Sequence, residues 1–100
     1  MLVRVGSAKD LVNNEMRAID VAGTRVCIAS AQGQLYAFDD TCTHRGCSLA
    51  EGELDGTTVT CPCHGSQFDV TSGAVLHGPA QRPVRSRSLK VEREELLIES

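Results

Sequence analysis

Cys42-Thr43-His44 brings one thiol close to one imidazole in the chain, and Cys61-Pro62-Cys63-His64 does the same with Cys61 and His64. Thiolates and neutral imidazoles are metal ligands, and two of each offer four donors. Two chemistries use such a set: a single zinc ion in a tetrahedral N/S shell, or a [2Fe-2S] cluster with one iron on two Cys and the other on two His. Structural zinc sites usually draw a tight C-x2-4-C pair from one loop, and mixed Cys/His arms fit that habit less well.

Around these arms the chain must supply a framework. It has 100 residues, enough for one core and no separate catalytic domain. With 41% hydrophobic residues, no Trp, one Tyr and two Phe, that core rests on Val, Leu, Ile and Ala. Short β-branched runs broken by turn residues predict strands at Leu2–Val5, Met16–Val21, Arg25–Ala29 and Leu35–Phe38, read as an antiparallel meander. Ser7 to Leu11 offers one helical turn with Ser7 as its cap, and no long helix is expected. Thr57–Thr60 leads into Cys61, and Gln67–Val70 pairs with Ala74–Leu76 across Thr71-Ser72-Gly73. After Gly78-Pro79-Ala80, two strands close the chain, Val84–Val91 and Leu96–Glu99, turning at Arg93-Glu94-Glu95. Arg85 and Arg87 break the alternation of the first, which predicts solvated arginines on an edge strand or a bulge. The glycine-rich stretch 41–78 places the two metal arms on facing loops.

The text around the arms reads Cys42-Thr43-His44-Arg45-Gly46-Cys47 and Cys61-Pro62-Cys63-His64-Gly65-Ser66-Gln67-Phe68-Asp69, followed by Gly78-Pro79-Ala80. This resembles the Rieske iron-sulfur family, whose boxes are C-T-H-x-G-C and C-P-C-H-G-S with a later G-P-A turn. The resemblance implies an all-β, Rieske-like fold of small antiparallel sheets with an inserted cluster-binding subdomain made of two loops. The chain 1–100 is then a single domain, with the cluster-binding part at about 41–78 and a base at about 1–40 and 79–100. One [2Fe-2S] cluster per chain is implied, Cys42 and Cys61 holding the inner iron, His44 and His64 the outer one through Nδ1. Two ferric ions, two sulfides and two thiolates sum to a neutral oxidised centre, where four thiolates would leave it at about -2. Adding an electron to a neutral centre is easier, and the potential moves from about -400 mV to a range of about -150 to +300 mV.

The same resemblance implies a disulfide between Cys47 and Cys63 bridging the loops. A reducing cytosol works against that bond, while burial between packed loops protects it. Ser66 resembles the serine that donates to a bridging sulfide in high-potential members. Phe68 departs from them, standing where they carry a Tyr that donates to a ligand sulfur. One potential-raising hydrogen bond is therefore missing, and an intermediate potential is expected, above ring-hydroxylating Rieske ferredoxins and below respiratory ones. By the same resemblance Arg45 would be a cation beside the outer iron, favouring reduction or steering a partner carboxylate, with a plain solvated surface arginine as the alternative. Ferric iron weakens the hold of a ligating imidazole on its distal proton, so the potential should fall by about 59 mV per pH unit once that proton is lost.

Other residues are assigned plain roles. Cys27, within Val26-Cys27-Ile28-Ala29, reads as a small buried hydrophobe. His77 reads as a framework residue, and Asp39, Asp40, Glu51, Glu53 and Asp55 as carboxylates that solvate loops. A net charge of -3, from 13 acidic and 10 basic residues, argues against nucleic-acid binding. No apolar run approaches a membrane span, and the start lacks the apolar core of a signal peptide, so a cytoplasmic protein is expected. The functional expectation is a one-electron carrier, not itself an enzyme, passing electrons from a reductase to an oxygenase or other oxidoreductase. Its alternatives are a small electron-transfer subunit held in a larger oxidoreductase and a zinc-stabilised binding module.

Overall fold

The computed structural model describes residues 2–44 and 46–99. Its strands, in chain order, are β1 (Leu2–Ser7), β2 (Met16–Val21), β3 (Thr24–Ala31), β4 (Gln34–Asp39), β5 (Glu53–Asp55), β6 (Thr58–Thr60), β7 (Gln67–Asp69), β8 (Val75–His77), β9 (Ser86–Arg87), β10 (Leu89–Glu92) and β11 (Glu95–Glu99). Three antiparallel sheets result, ordered β1-β11-β10, β2-β3-β4-β9 and β5-β6-β7-β8. The only helical segments among the described residues are 3-10 turns at Ala8–Asp10 and Leu49–Glu51. None is long and apolar enough to cross a membrane.

Two-residue turns set the hairpins. Ala22-Gly23 joins β2 to β3, and Gln32-Gly33 joins β3 to β4, each with φ positive at both central positions. That is the geometry whose twist matches paired strands. Arg93-Glu94 makes the same kind of turn between β10 and β11 without a glycine, at φ 49° and 70°. The Ser7 expectation holds: its Oγ accepts from the Lys9 N–H at 3.2 Å, and the Asp10 carboxylate accepts from the Ser7 N–H at 3.2 Å.

β3 is the wall between two cores. Successive side chains leave a strand on opposite faces, and every residue from Val26 to Ala31 is buried. Val26 and Ile28 meet Val21, Ala37, Leu96 and Ile98 on one side. Cys27, Ala29 and Ala31 meet Phe38, Cys42, Leu49, Val59, Cys61 and Phe68 on the other. The metal arms thus grow out of the second core.

Four expectations are corrected. β1 does not join the meander; it pairs with β11, Val3 opposite Ile98, so that the apolar faces of both chain ends cover β3. The run 84–91 is two strands in two sheets, β9 against β4 and β10 against β11, with the switch at Ser88. This change of sheet, not a bulge, breaks the alternation. Arg87 is accordingly not a solvated arginine: its side chain is 8% exposed and its Nε lies 2.7 Å from Asp39 Oδ1. Asp39 therefore anchors β9 to β4, and Asp40, 1% exposed, is also no solvating carboxylate.

Candidate metal centre

The two boxes fold into the same loop. In the first, the Cys42 N–H donates to the Cys47 carbonyl at 2.9 Å and the Gly46 N–H to the Cys42 carbonyl at 2.9 Å. In the second, the Cys61 N–H donates to the Ser66 carbonyl at 2.8 Å and the Gly65 N–H to the Cys61 carbonyl at 3.2 Å. Each loop turns back at a glycine with positive φ, Gly46 at 77° and Gly65 at 80°, a conformation a side chain would strain. Each stem is a cross-strand pair, Thr41 with Ser48 and Thr60 with Gln67. Cys42 and Cys61 therefore hold equivalent places at the head of the two loops.

These loops sort the four donors by burial. Cys42 and Cys61 are 2% and 3% exposed and lie within hydrogen-bond reach of each other, whereas His44 and His64 are exposed with ring centroids 5.3 Å apart and planes at 88°. Burial pushes the Cys61 thiol up. Backbone N–H groups of Cys63 and His64 donate to its sulfur and act in the opposite direction, and the neighbouring Cys42 pushes it up again. Amide donors aimed at a sulfur favour its thiolate, so a bound cation can replace the proton.

Cys47 and Cys63 form a disulfide across the two loops, with Cα atoms 6.5 Å apart. Their sulfurs and that of Cys61 lie within 4.8 Å of one another. A third loop closes over the pair. The Thr43 hydroxyl donates to the Arg82 carbonyl at 2.6 Å, and the Ala80 N–H donates to Ser66 Oγ at 3.0 Å. Ser66 is fully buried, and because its oxygen is the acceptor in that contact, its hydrogen is left for a second partner. Phe68, also fully buried, packs into the core that contains both ligand-type thiols and presents no donor.

Arg45 lies outside the described residues. His77 is exposed on β8, paired across the sheet with Gln67. Glu51, Glu53 and Asp55 are exposed. Two residues were missed by sequence: Thr43, visible only as a motif letter, and Asp40, a carboxylate among several.

Cys27 is fully buried, as its apolar neighbours in sequence implied. Burial, reinforced by the Asp40 charge, pushes its thiol well above the usual value of 9.0. The native state therefore keeps a proton that the unfolded chain releases as pH passes about 9. The contribution of this group is complete below that pH and lost above it, with a limiting slope of about 1.4 kcal/mol per pH unit. Urea unfolding at pH 8.5 and 10 should show the wild type losing more stability than Cys27→Ala over that interval. Equal losses would contradict a thiol held protonated in the fold.

The comparisons with known proteins agree with this architecture. The Rieske [2Fe-2S] domain family matches residues 1–88. Ferredoxin CarAc of Metapseudomonas resinovorans is 32% identical over 97 residues, covering 96% of this chain and 91% of its own length. The ferredoxin component of the naphthalene 1,2-dioxygenase system of Pseudomonas putida is 28% identical over 90 residues, covering 90% and 86%. A chain in the solved complex of reduced oxygenase and oxidized ferredoxin in carbazole 1,9a-dioxygenase is 32% identical and superposes with a TM-score of 0.92, covering 97% of this chain and 91% of its own length. With mirrored Cys/His loops, a third loop across them and a family match over most of its length, this chain belongs to the Rieske [2Fe-2S] domain family.

Proposed function

We propose that this protein is a one-electron carrier that takes an electron from a reductase and delivers it to an oxygenase or related oxidoreductase, in the cytoplasm, without catalysing a reaction itself. The observation that carries this reading is the sorting of donors: two thiols buried in the core and two imidazoles facing solvent. Cys42 and Cys61 would hold one iron and His44 and His64 the other, with one [2Fe-2S] cluster per chain. That group supplies reversible one-electron storage. The exposed imidazoles bring the edge of the site to the molecular surface, where a partner can approach without either chain unfolding. The thiols on the other side lie within the apolar core.

The remaining residues fit this division. About 41–78 would form the cluster-binding part, and about 1–40 with 79–100 the base that holds it rigid. The Cys47–Cys63 bond ties the two loops together, so that the donor sets keep their spacing whichever charge the centre carries. Ser66 has a hydroxyl hydrogen to offer a sulfide, and Phe68 has none to offer a thiolate, which supports an intermediate potential. Curated relatives named as ferredoxin components of dioxygenase systems support the choice of partners.

Iron and acid-labile sulfide analysis, with low-temperature EPR of the dithionite-reduced protein and a redox titration, tests this reading. Two irons and two sulfides per chain, with a potential inside the range of about -150 to +300 mV, are expected. A colourless protein with one zinc per chain would sink the carrier in favour of the zinc module.

A further inference from the structure

The two boxes are mirrored, but what lies beneath them is not. Two residues before Cys61 stands Val59, fully buried and apolar; two residues before Cys42 stands Asp40, 1% exposed and charged. The Val59 side closes on an apolar pair, Val59 opposite Phe68 in the β6-β7 ladder. Burying a carboxylate costs free energy unless every oxygen is satisfied.

At Asp40 each oxygen is satisfied. The Ser48 hydroxyl donates to Oδ2 at 2.5 Å, the Ala50 N–H to Oδ1 at 2.8 Å, and Arg25 Nε lies 3.2 Å from Oδ2. The backbone follows the same path. The Leu49 N–H donates to the Asp40 carbonyl at 2.8 Å, and the Asp40 N–H to the Arg25 carbonyl at 3.0 Å. One residue thus joins β3 to the returning leg of box one. Two residues of extended chain span at most about 7 Å between Cα atoms, so the carboxylate sits at the root of Cys42.

We infer that Asp40, balanced by Arg25, is a positioning residue whose buried charge holds down the redox potential of the centre rooted at Cys42. The two charges are screened unequally. The carboxylate lies against an apolar core, where charges act at low effective dielectric, while the Arg25 side chain is 59% exposed and its charge is damped by water. The field reaching the centre is net negative, and a negative field opposes an added electron. Cys27, on the core face of β3, already responds to it.

The inference rests on the electron-carrier reading, and redox titration of three variants tests it. Asp40→Asn keeps the shape and removes the charge, and should favour the reduced form by about tenfold, or about 59 mV for one electron. Arg25→Gln removes the partly screened cation and should shift the equilibrium the other way, by a smaller factor. Ser48→Ala removes a hydrogen bond to the same oxygen without changing charge; it should lower the melting temperature and leave the potential close to wild type. Opposite signs for the two charge variants separate an electrostatic role from a loosened loop, which would move both in one direction. If Asp40→Asn does not fold, the sign at the exposed Arg25 still decides. Equal signs, an unshifted Arg25→Gln, or a Ser48→Ala shift as large as that of Asp40→Asn would overturn the inference. Absence of iron and sulfide in the wild type would instead overturn the carrier reading.

Discussion

Cys61→Ser is expected to give a folded chain that retains little or no iron and no visible absorption. Changing the partners that merely support metal ligands costs about 10–100-fold in affinity, and loss of a ligand must cost more. Cys61 has two amide donors aimed at its sulfur and Cys42 beside it, so a serine oxygen, harder and poorer as a ligand for iron-sulfur chemistry, keeps the loop and loses the bond. Cys27→Ala is the control, because it removes a buried thiol from the same core without touching either loop. Iron analysis and circular dichroism on both proteins check the outcome. Loss of iron in the Cys27 variant, or its retention in the Cys61 variant, would reassign the ligands. The result bears directly on function, since an electron carrier without its centre carries nothing.

The second large effect concerns the bridge. The double replacement Cys47→Ser and Cys63→Ser removes a link with a sequence separation of 16, which by loop-closure entropy stabilises the fold by about 3 kcal/mol. For a domain of this size each kcal/mol moves the melting temperature by about 4–8 °C, so a fall of roughly 12–24 °C is expected. Both positions are replaced together because a lone thiol would be left near the Cys61 sulfur, where exchange can follow. Differential scanning calorimetry of the apo chains, with non-reducing peptide mapping of the wild type, measures it. An unchanged melting temperature would mean that the bond constrains nothing the sheets have not already constrained. In a reducing compartment the bond must survive thiolate attack, and exposure of Cys63 makes it the vulnerable end.

Much of the local structure was legible in the residues. The turn pairs ending in glycine, Ala22-Gly23 and Gln32-Gly33, marked both hairpins around β3, and the run Met16–Val21 marked β2. The Gln67 and Ala74 runs pair as their turn residues implied. What was not legible depended on partners far away in sequence. Val84–Val91 reads as one strand because a change of sheet leaves no local signal; β4 on one side and β11 on the other impose the break. β5 was missed because three residues with two acids carry no strand propensity of their own, and pairing with β6 makes the strand. Asp39 and Asp40 look like any loop carboxylates until Arg87 and Arg25 arrive from other strands.

The motif residues by themselves determined the chemistry. Two Cys and two His in C-x-H and C-x2-H arms, with Gly46 and Gly65 to turn the loops, offer a mixed set of metal donors, because donor type is a property of side chains and not of the fold. Only the tertiary structure decided which donors are buried and which face solvent, and which loop stands on a carboxylate and which on a valine. Those are differences of environment. Burial, screening and hydrogen-bond partners are set by strands far apart in the chain, such as those of Arg87 and Asp39 with a separation of 48, and no local pattern encodes them.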